Sequence, residues 1–235
     1  MYMIGSLDAL FAATALFVGG HFMLSSTHVR LALIERLGET RFLTYYSILM
    51  VLVFAWMVLA FIRAPIERLW ETPDALLWLP AVVMPLALFL IVCGVTTPSP
   101  TIAGTAPDDP GRDLTRGIIR ITRHPFLNGM SLWAVAHLVV NGDTRAVILF
   151  TGLLILSVIG MLRIDKRREF LYGADWGPIL LTTSLIPFGA ILSKRTSFDW
   201  PGIGWWRLLL SIAIYLALVW LHPFVLGVAA WPGLS

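Results

Sequence analysis

FLTYYSILMVLVFAWMVLAFI, residues 42–62, carries no charged side chain from end to end. A hydrocarbon core of ~30 Å takes about 20 apolar residues as helix, and this stretch supplies them. Polar and apolar residues do not alternate along it, so it does not suit a closed barrel, the other fold that satisfies its backbone in lipid. Working outward, five more runs qualify or come close: 4 to about 26, 75–95, 126–140, 146–162 and 205–230. The run 126–140 is short by itself. Composition agrees. Apolar residues make up 58% of the chain and charged residues 13%, against about 25% charged in a soluble domain, and mean hydropathy is +0.82. The chain reads as all-α, a polytopic membrane helical bundle of about six transmembrane helices, in a single domain over residues 1–235.

The basic residues set the orientation. Arg30, Arg36 and Arg41 follow the first run; Arg112, Arg116, Arg120 and Arg123 follow the third; seven more, from Arg163 to Arg207, follow the fifth. Only Arg63, Arg68 and Arg145 lie on the other side. A Lys/Arg excess in short loops marks the cytoplasmic face. The reading is a multi-pass protein of the bacterial inner (plasma) membrane with both termini periplasmic. The pI near 9.4 is then topological charge, and no nucleic-acid partner is expected. Residues 1–6 lack the positive stretch of a cleavable signal peptide. Cys93, the single cysteine, reads as a buried thiol. Residues 96–121, rich in Pro, Gly, Thr and Asp, read as a loop. Residues 166–200 begin as a charged helix and continue into an apolar segment suited to the membrane surface.

Ionisable residues inside a span default to function. His21 lies in the first run after Gly19-Gly20, small residues that admit a neighbouring helix or a flat ligand. His137 lies in the fourth run beside Ala134 and Ala136. Two neutral imidazoles on separate helices can hold a haem iron from both sides; the plainer reading is hydrogen bonding across helices. The two share a depth only if the fourth helix starts at or below the cytoplasmic interface. Arg123 and His124 precede Pro125, which suits a first helical turn. They crowd the positive end of that helix and welcome an anion such as a carboxylate or propionate, or else anchor the interface. Asp165 sits where it could orient Arg123 or His124. His28 reads as interfacial, and His222 as a kink or anchor of the last helix.

Three stretches carry a resemblance. The first runs from His21 through Ser25 and Arg30 to Leu37-Gly38-Glu39 and Tyr45-Tyr46-Ser47. The second runs from Gly117 through Thr122 to Arg123-His124-Pro125-Phe126-Leu127-Asn128-Gly129, then Leu132-Trp133-Ala134, Ala136-His137-Leu138 and Asn141-Gly142-Asp143. The third is Asp165-Lys166-Arg167-Arg168 with Thr183-Ser184-Leu185-Ile186-Pro187-Phe188. Together they resemble the NnrU family of bacterial membrane proteins, which implies a link to nitrite and nitric oxide metabolism in denitrifiers. The second stretch is also similar to the plant 15-cis-ζ-carotene isomerases. That likeness implies haem b with His21 and His137 as its metal ligands, Arg123 and His124 in its binding site, and isomerase-like chemistry on a lipid-soluble substrate. Ala134 stands where those isomerases carry a cysteine. A more distant likeness is to isoprenylcysteine carboxyl and phospholipid methyltransferases, which implies S-adenosylmethionine; Leu127 replaces their tyrosine, and Asp165 and Glu169 differ from their paired glutamates. The expected partners are membrane lipid and a lipid-soluble or small-molecule substrate. Three classes stand side by side: a haem-dependent isomerase-like protein, a methyltransferase, and a non-enzymatic membrane assembly factor.

Overall fold

The computed structural model describes residues 4–101 and 114–232. Residues 102–113 of the expected loop 96–121 therefore lie outside the described residues, and its last four residues, Ile118–Ile121, form a short helix. All long elements are helices. Five helical stretches are long and apolar enough to cross a membrane: Leu7–Ser25, Glu39–Arg63, Asp74–Thr96, Thr144–Thr182 and Trp205–Leu226. The expected fourth run forms a shorter helix, Pro125–Asn141. Many of their side chains face outward. Leu52 is 63%, Val82 74% and Trp220 67% exposed, which water would penalise and lipid does not.

The chain divides into two compact units, Met1–Leu76 with His137–Leu156, and Leu77–Ala136 with Ser157–Ser235. In the first, α1 (Leu7–Ser25) starts at Ser6, whose hydroxyl accepts the Ala9 N–H at 3.1 Å. This N-cap satisfies one of the orphan donors of the first turn. A break at Ser26 leads into α2 (Thr27–Leu37), a short helix with no buried residue. Gly38, at φ +79, then turns the chain into α3 (Glu39–Arg63). α1 and α3 run antiparallel. Phe17 meets Phe54 with ring centroids 5.6 Å apart and His21 meets Tyr46 at 5.7 Å. A Cβ on Gly20 would come 3.1 Å from Met50 Cε. Gly20 therefore makes room for α3 and not for a flat ligand.

Beyond α3, residues 67–72 strap across the turn that ends α6 (Pro125–Asn141) and starts α7 (Thr144–Tyr172). The Leu69 N–H donates to Gly142 O at 2.8 Å, the Thr144 N–H to Glu67 O at 2.9 Å, and the Thr72 hydroxyl to Val140 O at 2.9 Å. Gly142 has φ +59, and a Cβ there would run into the Trp70 carbonyl, so only glycine fits. Asp143 accepts the Ala146 N–H at 3.0 Å and caps α7. Short as it is, α6 ends level with the end of α3, as a return pass requires.

The second unit holds residues 125–136 of α6 and 157–172 of α7. With them are α4 (Leu79–Thr96), α5 (Ile118–Ile121), α8 (Gly177–Thr182), α9 (Gly189–Leu192), α10 (Trp200–Ile203) and α11 (Trp205–Leu226). Leu90, Cys93, Ile118, Ile119, Ile121 and Ile203 form its buried apolar cluster. Arg207 ties α11 to the end of α4 through Thr96 Oγ1 at 2.8 Å and Thr96 O at 2.9 Å. α4 and α6 touch backbone to backbone: a Cβ on Gly129 would lie 2.6 Å from Ala87 O, and one on Gly94 2.5 Å from Phe126 N. Small residues permit such crossings in lipid. Gly129→Ala should therefore cost about 1–3 kcal/mol, as overpacking does. Gly19→Ala, with nothing within 4 Å, should be neutral or stabilising. Thermal unfolding in detergent checks the pair, and equal midpoints would contradict the crossing.

Candidate active site

Residues 121–124 lie alongside residues 183–188. Thr122 is extended (φ −153, ψ 140). The Arg123 N–H donates to Ser184 O at 2.8 Å and the Phe188 N–H to Ile121 O at 2.7 Å. Pro125 then opens α6, whose first bond runs from Asn128 N–H to His124 O at 3.0 Å. This places Arg123 and His124 at the start of α6, buried to 6% and 2% exposure, facing Asp165 of α7.

The Arg123 guanidinium bonds through each of its three nitrogens. Its Nε donates to both Asp165 oxygens at 3.1 Å, its Nη2 to Oδ2 at 2.6 Å, and its Nη1 to Thr183 Oγ1 at 2.9 Å. His124 Nε2 lies 2.8 Å from Asp165 Oδ1. A carboxylate placed between a guanidinium and an imidazole gives charge-assisted bonds on both sides. Around them, Asn128 Nδ2 donates to Thr122 Oγ1 at 2.9 Å and to Leu185 O at 3.1 Å, and the Thr122 hydroxyl donates to Leu185 O at 3.0 Å. Asp165 thus does what its position in the sequence suggested. An anion does stand at the mouth of α6, the Asp165 carboxylate, and Arg123 meets it through Nε and Nη2.

Burial holds the His124 imidazole below its ordinary pKa; the Asp165 hydrogen bond and charge pull upward without cancelling it. The ring is then neutral near pH 7. Its network assigns the proton to Nε2, donating to Asp165, and leaves the lone pair on Nδ1. Asp165 fixes the tautomer and stands ready to stabilise an imidazolium, the role a buried carboxylate plays beside a catalytic histidine. Arg123 holds that carboxylate from the other side. The centre can therefore accept or return a proton at Nδ1, its net charge moving between zero and +1 with the Asp165 carboxylate beside the imidazolium.

His21 and His137 belong to the first unit. His21 Nδ1 lies 2.8 Å from Phe17 O, so its Nε2 has the lone pair a metal needs. His137 packs its ring on Phe150 of α7, centroids 5.2 Å apart. Their heights disagree. α1 and α7 leave the same end of the unit, and Gly152 of α7 abuts Thr14 of α1. Phe150, and with it His137, is therefore near the height of residue 12 on α1. His21 lies about nine residues away, or ~14 Å at ~1.5 Å per residue. Two ligands of one iron face each other at similar height, so this pair does not fit a shared haem. Among the described residues no group of three or more His, Cys, Asp or Glu is placed to hold a metal ion. His28 is exposed. His222 Nδ1 bonds Val228 O at 2.7 Å beyond the end of α11, as an anchor would.

The fold and this centre define a class: a multi-pass, all-helical membrane protein with an arginine–aspartate–histidine centre buried where two helices end. Comparison gives the family. The NnrU protein family matches residues 9–230, and the chain belongs to that family. Over 79 residues, 34% of its length, it is 40% identical to the chloroplastic 15-cis-ζ-carotene isomerase of Arabidopsis thaliana. Its identity to the Zea mays enzyme of that name is 37%, over a stretch of the same length. The matched stretch spans 22% of each plant protein. No solved structure matches the chain.

Proposed function

We propose that the chain is a membrane-embedded isomerase acting on a lipid-soluble polyene, with His124, oriented by Asp165, as its proton-handling group. The observation that carries the reading is the buried Arg123–His124–Asp165 centre. Buried ionisable groups with specific charge partners cluster at functional sites. Similarity to the plant isomerases supports the substrate class. The chemistry needs no net redox change. In the minor imidazolium form, which has taken a proton at Nδ1 from solvent water, His124 gives that proton to one carbon of a conjugated double bond. Nδ1 regains its lone pair, and the polyene becomes a delocalised cation with a freely rotating single bond. Return of that proton to Nδ1 restores the double bond in the other geometry. His124 carries the proton in both directions, Asp165 stabilises the imidazolium, and Arg123 holds Asp165. Expression in cells that accumulate 15-cis-ζ-carotene tests this: the 15-cis isomer should fall, and an unchanged pigment profile would count against it. An inactive protein that binds S-adenosylmethionine would favour methyl transfer. One that does neither would favour an assembly role.

The haem b reading rests on His21 and His137; a part in nitrite and nitric oxide metabolism rests on the resemblance to the NnrU family. The register described above weighs against a shared iron. The purified protein should therefore lack the low-spin, six-coordinate spectrum of a bis-histidine haem. Such a spectrum in the wild type, lost in both His21→Ala and His137→Ala, would restore that reading.

The orientation belongs to the same proposal. Arg63, Arg68 and Arg145 gather at one end of the first unit, where Arg145 Nε lies 3.4 Å from Asp143 Oδ1 and residue 68 pairs with residue 143. That end faces the periplasm of a bacterial inner membrane, as the basic asymmetry requires. Reporter fusions at residue 235 and within residues 63–74 should both read periplasmic. A cytoplasmic signal at residue 235 would break the six-pass topology.

A further inference from the structure

We infer that the surface formed by α8, α9 and the turn after them binds the headgroup phosphate of an acidic phospholipid on Arg195. A groove of about 510 Å3 opens there, lined by Leu180, Thr183, Ser184, Leu185, Ile186 and Arg195, with Arg123 at its inner wall. Arg195 is held rigidly at the rim. Its Nη1 donates to the carbonyls of Leu180, Leu181 and Thr183 at 2.8–3.0 Å, and its Nε to Ser193 Oγ at 2.9 Å. These partners are neutral. Among the described residues Nη2 has no partner and no carboxylate lies within ion-pairing distance, so an exposed, oriented cation stands without a counter-charge. Lys194 beside it is exposed as well.

The flanks are apolar. Leu181, at the very end of the Thr144–Thr182 stretch, is 67% exposed, and Ile186 and Leu192, outside any spanning stretch, are 71% and 81% exposed. A basic rim with exposed leucine and isoleucine around it matches an acyl chain below and an anionic headgroup above. A free phosphate would use the cation and leave the apolar flanks in water. A zwitterionic headgroup would set its own cation against Arg195 and Lys194. Charge and apolar surface together select an acidic phospholipid. The groove reaches Arg123 and Thr183 of the His124 centre, but the assignment rests on Arg195 and the exposed apolar flanks and not on the isomerase reading.

Native mass spectrometry of the full chain from detergent tests it, with phosphatidylglycerol and phosphatidylcholine of equal acyl chains as probes. One basic residue near a membrane surface corresponds to roughly fivefold preference for acidic lipid, and the wild type should retain phosphatidylglycerol by at least that factor. Arg195→Gln should remove the preference. Arg195→Lys, which keeps the charge and weakens the carbonyl caps, should retain it, and this separates charge from folding. Ile186→Ser with Leu192→Ser should lower retention of both lipids. Millimolar inorganic phosphate should leave phosphatidylglycerol bound. Equal retention of the two lipids by the wild type, loss of preference in Arg195→Lys but not in Arg195→Gln, or full displacement by phosphate would each overturn the assignment.

Discussion

Asp165→Ala should lower stability by about 3–5 kcal/mol, the cost of removing one partner from a buried ion pair. The loss arises less from the bonds removed than from what stays behind. Arg123, 6% exposed, would keep a full charge with only the Thr183 hydroxyl to answer it. His124 would lose the acceptor of its Nε2 proton. Removing both charges should cost far less, because well-packed apolar residues often replace a buried pair at little or no loss. The Arg123→Leu, Asp165→Leu double variant should therefore be more stable than Asp165→Ala alone. Denaturant unfolding in detergent, arranged as a double-mutant cycle, gives the coupling. Additive losses would mean that the pair does not interact as its 2.6 Å contact implies.

His124→Gln should lower the isomerisation rate by about 10²–10⁴-fold, the range for a removed acid–base group. Glutamine keeps a side-chain amide that can donate to Asp165 but cannot carry a proton at pH 7. Folding should persist, since Arg123 still answers the carboxylate. The loss should appear in kcat more than in KM, because the group acts on the reacting carbon and not in binding the rest of the polyene. A variant that folds, binds substrate and turns over at the wild-type rate would remove His124 from the chemistry.

How much of this was legible in the sequence follows from what each feature depends on. The spanning helices depend on local hydropathy, so the run 42–62 became α3 almost unaltered. α2 escaped notice because residues 27–37 are too short and charged to span, and Arg30 and Arg36 count there as topological charge; the helix is bounded by the Ser26 break and by φ +79 at Gly38. The fifth run extended to Tyr172 because charged residues continue a helix that has left the apolar layer. Asp165 could be paired with Arg123 and His124 from its place at the helix end. Thr183, sixty residues beyond Arg123 in the chain, could not, although it stood in a stretch that resembles the family. The positive start of α6 was legible from Arg123, His124 and Pro125, and α7 supplies a carboxylate there, that of Asp165. The heights of His21 and His137 depend on how α7 slides along α1, which the contact of Gly152 with Thr14 sets and hydropathy does not encode.

The most direct test of the central claim is the geometric-isomer profile of 15-cis-ζ-carotene after incubation in the dark with the purified protein in lipid nanodiscs. The 15-cis isomer should disappear at a rate proportional to the amount of protein, with the all-carbon skeleton and oxidation level unchanged. A profile identical to that of protein-free nanodiscs, from protein whose fold is intact, would contradict it.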